Sequence, residues 1–202
     1  SIFIKESINE VYSTLAISMG LVVLIIFIFL GNIRATLIPA VTVPVALVGS
    51  FMFLLAMGYS INLLTLLALV LAIGLVVDDA IVMLENIHRR IELGEPPLLA
   101  AFRGAREVGF AIIATTLVLI SVFVPLVFMD GRIGALFTEF AMAVSAAVFF
   151  SSITALTLSP ALCSKVLKAS EKESKFSQWM DRVFSKVENS YRQSLTSNMT
   201  KK

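Results

Sequence analysis

The chain alternates long uncharged runs with short polar breaks. The runs cover 11–30, 35–57, 63–84, 108–128 and 140–162, and the first holds 20 residues without a charge. A helix of about 20 apolar residues crosses the roughly 30 Å hydrocarbon layer of a bilayer. Membrane-spanning strands need apolar and polar positions to alternate over about 10 residues, and these runs are uniformly apolar and longer. The pattern predicts an all-α membrane protein built as a bundle of five transmembrane helices over 11–166. Pro39 falls in the first turns of the second span, where proline is tolerated, and Pro44 is placed to kink it. Pro125 and Pro160 lie near the ends of the fourth and fifth spans.

The flanking segments read differently. Residues 1–10 form a polar lead-in, and 167–175 form a charged linker. Over 176–195, Phe176, Trp179, Met180, Val183, Phe184 and Val187 recur at helical spacing, with Asp181, Arg182, Lys186 and Glu188 between them. That is an amphipathic helix, expected to lie in the membrane interface. Its rival is a helix packed on a soluble domain. Residues 196–202 are a tail.

Composition supports the membrane assignment. Hydrophobic residues make up 58% and charged residues 15% of the 202, against about 45–50% and 25% in soluble domains. Mean hydropathy is +0.94. A net charge of +2 gives no basis for a nucleic-acid partner. The single cysteine, Cys163, excludes an internal disulfide and reads as a small apolar helix residue. His88, beside Arg89 and Arg90, is expected in a solvated loop, because no second His or Cys lies nearby to share a metal.

Charge placement orients the bundle. With five spans, one side carries nine basic residues, among them Arg34, Arg89, Arg90, Arg103, Arg106 and Lys165, and the other only Lys5 and Arg132. The rich side is expected to be cytoplasmic, with the start outside and the fifth helix leaving inside. The first run is too long for a signal-peptide core and lacks a basic segment before it. An odd span count with an external start leads to the expectation of further sequence upstream, or of an unusual insertion.

The chemistry lies in the third run, where Asp78 and Asp79 interrupt an apolar helix. Each aspartate near a helix centre costs about 2.5–3.5 kcal/mol on insertion scales, so the pair costs on the order of 5–7 kcal/mol. Consecutive residues stand about 100° apart, so the carboxylates share one broad face, expected to point into a bundle interior. Gly74, one turn before Asp78, leaves room there for a helix or for water. No Lys or Arg occurs inside any of the five spans, so the compensating charge must be a group outside this chain, a proton or a metal ion. Intramembrane ionisable residues mark proton relays and ion paths. A purely structural pair held by Thr65, Thr115 or Thr116 is the alternative. An aspartyl intramembrane protease needs two carboxylates facing each other from different helices, and neighbours on one helix diverge; no enzymatic activity is expected.

In the last run Ala143, Ala147, Ser151, Ala155 and Ser159 recur every fourth residue. Such a stripe of small side chains lets another helix approach closely, as a sliding surface or as static packing.

The segment Gly74-Leu-Val-Val-Asp-Asp-Ala-Ile-Val-Met-Leu-Glu-Asn86 resembles the fourth-helix signature of the resistance–nodulation–division (RND) efflux pumps, and most resembles their hydrophobe/amphiphile efflux branch. Asn32 to Pro39, Gly58 to Asn62, Val122 to Pro125 and Leu158 to Cys163 resemble further family segments in the same order. The resemblance implies the second to sixth helices of a twelve-helix inner-membrane pump that exchanges protons for drugs or other amphiphilic compounds. It implies that Asp78 and Asp79 are the proton relay, that their partner cation comes from the remainder of the pump, and that the coupling ion is a proton, with no other cofactor. It also implies a homotrimer joined to a periplasmic adaptor and an outer-membrane channel, and makes 176–195 the family's cytoplasmic interfacial helix. The readings left beside it are a membrane scaffold or sensor without transport, and a protein- or lipid-exporting member of the same superfamily. Glu139, at the outer start of the fifth span, is given no role beyond an interfacial carboxylate.

Overall fold

The computed structural model describes residues 2–167, and the linker beyond 167 and the amphipathic stretch 176–195 lie outside them. Five helices follow in order: α1 Ile2–Leu30, α2 Ile33–Ala56, α3 Leu63–Glu92, α4 Pro97–Val127 and α5 Gly131–Val166. Among the described residues there is no strand. Four helices, α2 to α5, are long and apolar enough to cross a membrane, and α1 contributes a shorter apolar stretch, Ser13–Ile28. The chain is an all-helical, multi-pass membrane protein.

The helices outrun the apolar spans. α1 begins at Ile2, α3 continues past 84 to Glu92, and α4 begins at Pro97 instead of 108. Apolar run length measures hydrocarbon thickness, whereas a helix ends where its caps are. Asn62 starts α3 with a capping box: its side chain accepts from the backbone N–H of Leu64 and Thr65, and the Thr65 hydroxyl accepts from the Asn62 N–H. Asn32 caps α2 in a similar way, by accepting from the Arg34 N–H. Pro97 opens α4 at its first turn, where a missing N–H costs nothing. The α2–α3 and α3–α4 turns pass through Gly58 at φ 74° and Gly94 at φ 92°, where side chains bearing a Cβ are strained.

α5 is the hub, lying against α2, α3 and α4, while α1 packs on α2 and α3. The small stripe is what permits this. Ala143, Ala147, Ser151, Ala155 and Ser159 are all buried, with at most 1% exposure each. Three apolar layers stack along the bundle. Leu54, Ala68, Ala143 and Val148 fill the layer towards the α2–α3 turn. Val43, Leu69, Ile73, Val76 and Ala147 fill the middle. Ile38, Met83, Leu84, Ile87, Ala155 and Cys163 fill the layer towards the α3–α4 turn. Helices approach closely at Gly49, where an added Cβ would sit 2.7 Å from the Phe150 ring, and at Gly104, where it would sit 2.8 Å from the Ile87 side chain. α4 is peripheral, and large apolar residues such as Phe110, Leu117 and Val122 on it are exposed.

Candidate functional site

Asp78 and Asp79 fall at the middle of the 30-residue α3. Their neighbours are apolar: Val76, Val77 and Ala80 are buried in the bundle. The pair divides between two environments. Asp79 is half-buried towards α5, and its Oδ2 accepts a hydrogen bond of 3.0 Å from the Ser151 hydroxyl. The same hydroxyl lies 2.9 Å from the Val76 carbonyl oxygen, so Ser151 sits between the α3 backbone and the carboxylate. Asp78 is exposed and makes no side-chain hydrogen bond to any described residue.

Of the two carboxylates expected to point into a bundle interior, only Asp79 faces another described helix. One helix cannot turn two consecutive residues the same way, and α1, α2, α4 and α5 all pack on other sides of α3. Leu67, Leu71, Gly74, Asp78, Val82, Glu85 and Arg89 form one exposed stripe at helical spacing. Gly74 lies on that open face, with no atom of another element within 4 Å of where its Cβ would be. No Lys or Arg of the described helices reaches either aspartate.

The hydroxyls singled out from the sequence are elsewhere. Thr65 caps its own helix, while Thr115 and Thr116 donate to carbonyls of Ala111 and Ile112 within α4. A threonine in a helix reaches its own i−4 carbonyl more readily than a neighbouring helix. Ser151 supplies the contact instead. It was legible as a small residue, and its place beside Asp79 follows from the close approach the stripe allows.

Two polar clusters bracket the pair. At the α2–α3 end, Glu139 of α5 accepts from the Ser60 hydroxyl at 3.3 Å and from the Asn62 side-chain amide. Glu139 therefore ties α5 to the cap of α3, a role its sequence position did not reveal. At the α3–α4 end, Arg90 grips Glu107 with two contacts, Nε–Oε2 at 3.1 Å and Nη2–Oε1 at 3.0 Å, and reaches Glu95 at 2.9 Å. Arg103 shares Glu95 at 3.1 Å. Asn86 donates to the Gly104 carbonyl at 3.1 Å and to Glu107 at 3.0 Å. These contacts join the end of α3 to the start of α4. His88 belongs to this helical end and not to a loop, since α3 runs on through it; its Nδ1 lies 3.1 Å from Glu92, one turn on. Among the described residues no three His, Cys, Asp or Glu side chains gather as a metal site. Cys163 is buried and free in the α5 core.

A multi-pass helical bundle with two carboxylates halfway along an apolar helix defines a membrane protein whose bilayer segment carries ionisable chemistry. The sequence model of the AcrB/AcrD/AcrF family matches residues 1–202, and the chain belongs to that family, a group of RND transporters. Membership assigns it a transporter-type membrane function within a multi-subunit pump assembly.

Proposed function

We propose that this chain is the proton-relay portion of an antiporter that exports drugs or other amphiphilic compounds in exchange for protons. The carrying observation is the split environment of the carboxylates: Asp79 is anchored by Ser151, while Asp78 lies on an uncovered stripe with no partner. A structural pair would be hydrogen-bonded on both members, because an unpaired carboxylate in an apolar setting is costly. An open face carrying one carboxylate suits a cationic side chain from the remainder of the pump. Protonation would remove the attraction between them and let the helices shift. The relay needs no cofactor beyond the proton.

The wider reading follows from the same assignment. The basic α3–α4 end lies in the cytoplasm, the chain start lies outside, and the membrane is the bacterial inner membrane. The working unit is a homotrimer coupled to a periplasmic adaptor and an outer-membrane channel. The buried stripe on α5 is the surface along which α3 moves. The test is efflux by the full-length transporter carrying Asp78→Asn or Asp79→Asn. Both substitutions abolish proton-driven efflux while leaving the protein in the membrane; efflux retained in both refutes the relay.

A further inference from the structure

Glu85 stands out among the carboxylates of the α3–α4 end because, unlike Glu92, Glu95 and Glu107, it touches no other charged or polar side chain. It lies seven residues after Asp78 on the same exposed stripe, two helical turns nearer the α3–α4 turn. A glutamate followed by an arginine four residues later is the favoured order for an ion pair along a helix, and Arg89 occupies that position. The pair does not form. The Arg89 guanidinium is drawn to the other side, with Nη2 2.9 Å from the Asn86 side-chain oxygen and 3.9 Å from Glu107. Arg90 is held by Glu107 and Glu95, and His88 lies against Glu92. The remaining charged groups at this end are Arg34 on α2, Arg103 and Arg106 on α4, and Lys165 on α5. Glu85 forms no ion pair and no hydrogen bond with any described residue. The clamp between α3 and α4 thus leaves Glu85 without a partner, in line with Asp78.

We infer that Glu85 is the next proton station after Asp78, receiving the proton on its way out at the α3–α4 end. This rests on the relay reading above. The axial separation is about 10 Å, a gap that about three water molecules bridge at about 2.8 Å spacing. The stripe is uncovered between them, with only the exposed Val82 on it, which leaves room for such a file. The step balances: the Asp78 carboxyl loses a proton to the water file, the file delivers one to the Glu85 carboxylate, and Glu85 releases it to bulk water. Net charge is conserved at each transfer, and no other reactant is consumed.

The test uses the full-length transporter in proteoliposomes, with substrate-coupled proton flux followed by a pH-sensitive dye. Glu85→Gln should slow flux on the order of tenfold to a hundredfold. Glu85→Asp, and formate added to Glu85→Gln as a small diffusible proton carrier, should each restore much of it. Asp130→Asn, in the α4–α5 turn and off the α3 stripe, should leave flux unchanged. Wild-type flux in Glu85→Gln alongside lost flux in Asp78→Asn overturns the role of Glu85 and leaves the relay standing. Lost flux that neither Glu85→Asp nor formate restores also overturns it, since the side chain then acts by packing. Wild-type flux in Asp78→Asn removes the relay itself, and with it this inference.

Discussion

The middle of α3 and its last two turns carry charge in opposite ways. In the last turns, Arg90, Glu107, Glu95 and Arg103 form a mesh of mutual contacts between 2.9 and 3.1 Å. In the middle, Asp79 has a single hydroxyl and Asp78 has none. The difference is one of purpose. Paired charges near a helix end orient two helices and cost little, because water reaches them. Unpaired charges at the centre of an apolar helix lower stability, and that cost is what the proposed relay accounts for.

The comparison can be broken in four places. The largest effect belongs to Asp79→Asn, which keeps the shape and the Ser151 contact but removes the charge change; proton-driven transport should be lost while thermal unfolding in detergent stays near wild type. Next is Gly104→Leu. Its Cβ would lie 2.8 Å from the Ile87 side chain and 3.4 Å from the Ile87 Cα, so the α3–α4 clamp must open, at a cost of about 1–3 kcal/mol. Lowered unfolding temperature would report it, and an unchanged temperature would show that the hairpin is not held by that contact. Ser151→Ala should then cost about 1 kcal/mol through the lost hydrogen bond while keeping the small stripe intact. Its transport should fall well short of the loss in Asp79→Asn, which separates anchoring from proton transfer. The smallest effect is expected for Asn62→Ala, which removes the capping box at the opposite end of α3 for about 1 kcal/mol. Helix content by circular dichroism and unfolding temperature should drop slightly, with transport preserved.

Much of this was legible from residue order. Five apolar runs gave five helices, and the four-residue spacing of Ala143, Ala147, Ser151, Ala155 and Ser159 marked the face by which α5 packs. Helix ends were not legible from apolarity, because α3 and α4 continue beyond the apolar runs on ion pairs and amide contacts such as Asn86 to Gly104. The site was half legible. Two adjacent aspartates in an apolar run are conspicuous, but which one turns inward depends on where α5 crosses α3. For the same reason Ser151 read only as a small residue and Glu139 only as a carboxylate at the end of a span. Neither reveals its partner until Val76 and Asn62 are brought beside them by the fold.

The central claim is that the Asp78–Asp79 pair exchanges protons as part of transport. The most direct measurement is proton flux through the purified full-length transporter in proteoliposomes, started by adding substrate, with the wild type compared against Asp78→Asn and Asp79→Asn. The account predicts substrate-dependent proton movement in the wild type and none in either variant, with substrate binding retained. Equal proton movement in all three would contradict it.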